Sequence, residues 1–247
     1  MSNDSRIYTS EEIRVMCDDT VREGIETFYR KKRGKKNVTT HISSSNDVAK
    51  YLLERPDLWE RITPITRKRT YNRKRDVKPT DVKEARLAMS MFASSNKKNH
   101  GYKALGKVIT HQIPIRGARK DPKVGCIDLM SLSNNKDALY LVELKTYVSE
   151  ESLLHCVLQI YTYFRLIDQE KLKKDFKIPS DTDSDTKVNI VPVVAIFKGS
   201  LAHTHLDGRF PKVLELIREL KVKIALLSGD VGEHMDGSKI QVEWWLP

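Results

Sequence analysis

Residues 125–163 read GCIDLMSLSNNKDALYLVELKTYVSEESLLHCVLQIYTY. The two apolar runs at 124–132 and 138–146 predict strands. Asn134-Asn135-Lys136-Asp137 between them is a turn by composition, so the pair predicts a hairpin. Residues 150–168 form the clearest helical stretch in the chain. Side chains alternate along a strand, so Glu143 and Lys145 project to the same side. Hairpin pairing then brings Asp128 beside Glu143. Two carboxylates and an ammonium converge at one point on a sheet. Two hard oxygen ligands suit Mg²⁺ or Mn²⁺, which keep several waters and accept phosphate oxygens. Lys145 lowers the cost of neighbouring carboxylates and is suited to steadying charge at a reacting phosphate. On the following helix Gln159 and Tyr163 are four apart and share a face, fit for orienting a nucleotide backbone or a metal-bound water. His155, four residues earlier, is expected at the surface near the helix start.

Working outward, residues 81–95 predict a helix with Val82, Leu87, Met91 and Phe92 on its apolar face. Residues 105–115 predict a strand in which His111 shares the core face of Ile109 and Ile113. Downstream, 188–197 is apolar as a strand buried on both faces would be, although Pro192 lacks a ladder donor. A helix at 211–220 and strands at 222–227 and 240–245 follow. The order α-β-β-β-α-β-α-β over 81–247 predicts an α/β (α+β) domain, a mixed central sheet flanked by helices. Asp181, Asp183 and Asp185 do not make a calcium loop, because Thr186 and Pro192 stand where glycine and glutamate are needed.

Lys plus Arg number 44 and Asp plus Glu 33, a formal charge of +11 that favours a polyanionic partner. Residues 1–80 carry 19 of those basic residues against 12 acidic ones. This third reads as a basic, mainly helical region. Thr9 and Glu12 form a capping box opening a helix over 10–30, and a shorter helix is expected at 46–54, with Leu58 and Trp59 in a further turn. The run 30–36 and the connector 64–79, with Arg67, Lys68, Arg69, Arg73, Lys74 and Arg75, are expected to track phosphates. Tyr29 and Tyr71 are suited to stacking on bases. A solvated flank or an import address is the alternative use of such runs.

No stretch approaches the roughly 18 apolar residues of a spanning helix, and the opening residues hold no apolar secretory core. Cys17, Cys126 and Cys156 are odd in number and far apart, which disfavours zinc ribbons and iron–sulfur clusters. An intracellular protein is expected, in the cytoplasm or, in a eukaryote, the nucleus, with a homo-oligomer or larger complex left open.

The order Asp128, then Glu143-x-Lys145 at a strand end, then Gln159-x-x-x-Tyr163 on the next helix resembles the PD-(D/E)XK nuclease superfamily, in particular its RecB-like branch. The resemblance covers about half the chain, from residue 81 to 198. It implies a restriction-endonuclease-like core and Mg²⁺- or Mn²⁺-dependent cleavage of DNA. Asp128 and Glu143 would be metal ligands, with the Leu144 carbonyl a third, and Lys145 the catalytic lysine. Glu84 matches a glutamate that some members use near the metal, although Asp81-x-x-Glu84 is itself a capping-box pattern. No proline precedes Asp128, where Ile127 stands. A non-catalytic nucleic-acid- or partner-binding module on the same scaffold, or a ribonuclease, is the rival expectation.

Overall fold

A computed structural model describes residues 45–71, 83–97, 101–116, 125–179, 188–229 and 236–246, and the backbone of 32–33 and 36–37. The helix expected over 10–30, Tyr29, Arg73, Lys74, Arg75 and the acidic loop at 181–185 lie outside the described residues. Lys32–Arg33 (β1) and Lys36–Asn37 (β2) pair antiparallel.

The hairpin at the centre of the chain forms as its pattern predicts. Cys126–Leu132 (β4) and Ala138–Lys145 (β5) pair antiparallel, with Leu132 opposite Leu139 and Leu129 opposite Val142. Lys107–Pro114 (β3) lies on the outer side of β4, Asn189–Phe197 (β6) runs parallel to β5, and Lys223–Ser228 (β7) runs parallel to β6. Gln241–Trp244 (β8) closes the far edge antiparallel to β7. The result is one six-stranded mixed sheet in the order β3-β4-β5-β6-β7-β8. Pro192 fits inside β6 because β7 pairs only from Val193 onward, so one side of the strand is still an edge there.

Helices cover both faces, the α/β arrangement expected from the element order. Lys83–Lys97 (α3) buries Leu87, Ala88 and Met91 against one face, together with Tyr102, Leu105 and Val108. The other face carries Ser45–Glu54 (α1), Asp57–Glu60 (α2), Leu153–Leu166 (α4), Gln169–Phe176 (α5), Leu201–Thr204 (α6) and Pro211–Glu219 (α7). Helix α4 begins at 153 and not 150 because the Ser152 hydroxyl caps it, accepting from the His155 amide. Helix α5 is an addition to the expected elements; Asp168 caps it and Lys177, in a left-handed conformation (φ 54°), ends it. Among the described residues no helix is long and apolar enough to cross a membrane.

The described residues 45–71 of the basic third pack on the core. Val48, Leu52, Leu58, Trp59, Ile62 and Tyr71 share one buried cluster with Leu153, Leu154 and Leu172. The Lys212 amide donates to Asn46 Oδ1 at 2.8 Å, tying α1 to α7. Residues 64–71 of the segment read as a connector are docked on the α4–α5 junction: the Ile65 amide donates to the Leu166 carbonyl at 2.7 Å and the Tyr71 amide to Asp175 Oδ2 at 2.7 Å. Each fully buried aliphatic side chain stabilises such packing by about 1.5–3 kcal/mol.

Candidate active site

The site forms where β4 and β5 part. Their pairing stops at Leu129 and Val142, one step before Asp128 and Glu143 would face each other. The Leu144 amide donates instead to Asp128 Oδ2 at 2.9 Å, so a carboxylate takes the place of a ladder carbonyl. Gln112 Nε2 of β3 donates to Asp128 Oδ1, also at 2.9 Å. Alternation along β5 sends Leu144 into the α3-side core, while Glu143 and Lys145 take the face of Leu139 and Leu141, beneath α4. Glu143 Oε1 lies 3.0 Å from Lys145 Nζ. Glu143 Oε2 is buried and has no hydrogen-bond partner among the described residues.

Lys145 is the hub of the cluster. Beyond Glu143, its Nζ lies 2.5 Å from Glu151 Oε2 and donates to Gln159 Oε1 at 3.2 Å. Glu151 Oε1 also meets His155 Nε2 at 3.3 Å. Gln159 Nε2 donates in turn to the Tyr163 hydroxyl at 3.4 Å, which accepts from the Gly125 amide at 3.2 Å. Glu84, in the first turn of α3, accepts from Thr146 Oγ1 at 3.3 Å.

Electrostatics follow from this crowding of charge in a buried place. Burial pushes Asp128 up to about 6, against the Leu144 amide and the Lys145 charge, which pull it down. Burial, followed by the Asp128 charge, pushes Glu143 up to about 8, and Lys145 offsets only part of this. Burial disfavours the Lys145 charge as well, but Glu143 and Glu151 outweigh it and hold the ammonium well above its ordinary range. Burial also acts on Glu151, where the hydrogen bond from His155 and the Lys145 charge prevail and hold it at about 2.

The structure thus gathers Asp128, Glu143, Lys145, Gln159 and Glu84, from α3, β4, β5 and α4. Other expectations are corrected. Tyr163, expected on substrate, is only 1% exposed and braces Gln159 and Gly125 from behind. His155, expected at the surface, is buried and meets Glu151. His111 does not share the Ile113 face but packs its ring on Phe92 of α3. Arg67, expected on phosphate, turns inward: its Nη1 donates to the Arg116 carbonyl and its Nη2 to the Thr70 carbonyl. Tyr71 is likewise buried, its hydroxyl accepting from the Asp168 amide, so it is no stacking platform. Lys68 and Arg69, beside Arg67, are exposed.

Two residues of the cluster escape the spacing argument. Glu151 precedes the helix, where no periodicity points to it. Gln112 gives a weak signal, a long polar side chain in a β-branched strand.

The donors present fit a hard divalent cation. Glu143 Oε2 is orphaned in a buried position, and burial raises both Glu143 and the neighbouring Asp128, whose charges also oppose each other. Asp128 and Glu143 would hold such an ion, with the Leu144 carbonyl. Among the described residues no group of three or more His, Cys, Asp or Glu side chains is arranged to hold a metal, so water would fill the remaining positions. Comparison of the chain with protein-family models, with curated proteins and with solved structures finds no match.

Proposed function

We propose that this protein is a divalent-metal-dependent nuclease that hydrolyses phosphodiester bonds, DNA being the favoured substrate. The observation that carries the reading is the orphaned, buried Glu143 Oε2 beside Asp128, with the Lys145 ammonium in the same cluster. A bound Mg²⁺ or Mn²⁺ would polarise the scissile phosphate and lower the pKa of a bound water. Asp128 is held from both sides, by Gln112 and by the Leu144 amide, so it presents a fixed carboxylate. Lys145, charged and buried, is placed to offset the negative charge that grows on a phosphate under attack. Gln159, fixed by Lys145 and Tyr163, is the polar group of α4 available to orient a backbone. The surplus of +11 supplies the long-range attraction for a polyanion.

The test is cleavage of linear, circular, single-stranded and branched DNA, with RNA alongside, in Mg²⁺, Mn²⁺ or EDTA. Cleavage that needs the ion and disappears in Asp128→Asn and Glu143→Gln supports the reading. Cleavage by either variant at the wild-type rate removes it.

A further inference from the structure

Gln112 and Asp128 face each other at an irregularity shared by two strands. His111 pairs with Leu129 and Ile113 with Ile127, which leaves Gln112 across from Asp128. Regular alternation would keep His111 and Ile113 on one face. The His111 ring instead lies 5.0 Å from Phe92 of α3, while Ile113 belongs to the core beneath α4. Strand β4 switches at the same level: Leu129 packs on the α3 side and Ile127 on the other. On β3 the switch is made by Gln112 itself, whose φ of 51° is left-handed although it is not a glycine. Backbone strain of this kind persists where its surroundings over-determine it, and it gathers at working sites.

What the switch achieves is a place for the side-chain amide, 2.9 Å from Asp128 Oδ1. The other oxygen is held from β5 by the Leu144 amide. Both donors are neutral. They fix the plane of the carboxylate without cancelling its charge, and each oxygen keeps a lone pair free for a cation. An arginine or lysine at residue 112 would fix it equally well but would compete with the ion.

We propose that Gln112 is a positioning residue for a divalent-cation site: its left-handed backbone aims the amide at Asp128 and sets the direction in which that carboxylate meets the ion. The inference rests on the metal-dependent reading above. It adds a residue of the edge strand to the site.

Gln112→Gly and Gln112→Asn of the full chain test it, read by calorimetric titration with Mn²⁺ alone and by thermal unfolding in EDTA. Glycine takes a φ of 51° without strain, which offsets the loss of the donor to the buried Asp128 Oδ1, so Gln112→Gly should shift the unfolding temperature little while Mn²⁺ affinity falls about 10–100-fold. Asparagine also tolerates this conformation but is one methylene too short to reach Asp128, so it should lose affinity to a similar extent at near wild-type stability. A lowered unfolding temperature with unchanged Mn²⁺ affinity would make Gln112 a merely structural residue and overturn the proposal. Wild-type protein that binds no Mn²⁺ removes the nuclease reading and this inference together. Wild-type binding with equal affinity in both variants removes the inference alone.

Discussion

Lys145 Nζ lies 2.5 Å from Glu151 Oε2 and 3.0 Å from Glu143 Oε1, so one buried ammonium is shared by two acidic side chains. The sharing separates two tasks. Glu151, held at about 2, stays charged and anchors the lysine, whereas Glu143, pushed up to about 8 by burial and then by the Asp128 charge, keeps its proton at neutral pH in the absence of a further cation. A second cation at Glu143 and Asp128 would release that proton without displacing Lys145 from Glu151.

Lys145→Met keeps most of the stem and removes the ammonium. The charged Glu151 then loses the cation 2.5 Å from it, and breaking such a pair from one side costs stability, up to about 3 kcal/mol were both partners fully buried. Denaturant unfolding in EDTA should show that loss. Calorimetry should still find Mn²⁺ binding, because the ammonium is not a ligand, while DNA cleavage disappears. Metal affinity that vanishes together with activity would mean that Lys145 chiefly holds the carboxylates in place.

Glu151→Gln should act through Lys145. The amide keeps a hydrogen bond but not the charge that fixes the ammonium, so kcat on DNA should fall roughly 10–100-fold with KM and Mn²⁺ affinity little changed. Glu151 is depressed from 4.5 to about 2, so its contribution to stability is present above 4.5 and lost as pH falls through 2. The stability gap between wild type and variant should therefore close in acid. A gap that widens on acidification contradicts the placement of Glu151 against Lys145 and His155.

Glu143 and Asp128 carry the opposite pH dependence. Glu143 is raised from 4.5 to about 8 and Asp128 from 3.8 to about 6, so the folded protein holds their protons more tightly than the unfolded chain. Their favourable contribution is complete below the unfolded values and is lost as pH rises through 6 and then 8. Glu143→Gln cannot lose its proton. In EDTA the unfolding temperature of that variant relative to wild type should climb from about pH 5 to pH 9. A flat or falling difference would show that Glu143 is not in the crowded, buried site described above.

How much of this is legible in sequence depends on periodicity. The two-residue repeat alone places Glu143 and Lys145 on one face, and the turn at 134–137 brings Asp128 towards Glu143. The four-residue spacing puts Gln159 and Tyr163 on one helix face, but does not say which of them is buried; Gln159 is half-buried and Tyr163 fully so. Gln112 is hidden because its strand departs from alternation at that very residue, through a left-handed φ that sequence pattern does not encode for glutamine. Helix α5 is hidden because QEKLKKDF holds only Leu172 and Phe176 as apolar residues, and its packing depends on the docked segment 64–71. A run of basic residues likewise does not reveal which of them turns inward.

Arg67, Lys68 and Arg69 make that last point testable, since three adjacent cations should behave in two different ways. The Arg67 guanidinium is buried against the Arg116 and Thr70 carbonyls and lies 5.2 Å from the centre of the Tyr71 ring. Arg67→Ala removes a buried charged donor from two carbonyl acceptors, which costs about 1.5–3 kcal/mol of stability. It should leave the salt dependence of DNA binding at the wild-type slope. Lys68→Glu with Arg69→Glu alters only exposed side chains, so stability should stay within about 0.5 kcal/mol. If these two track phosphates, affinity should drop for all DNA sequences alike, and the slope of log affinity against log salt should flatten by about 0.7–0.9 for each phosphate no longer neutralised. Fluorescence-anisotropy titrations at several salt concentrations, paired with denaturant unfolding, separate the two behaviours. An Arg67→Ala protein of wild-type stability with a flattened slope would return Arg67 to the surface and undo its assignment to the core.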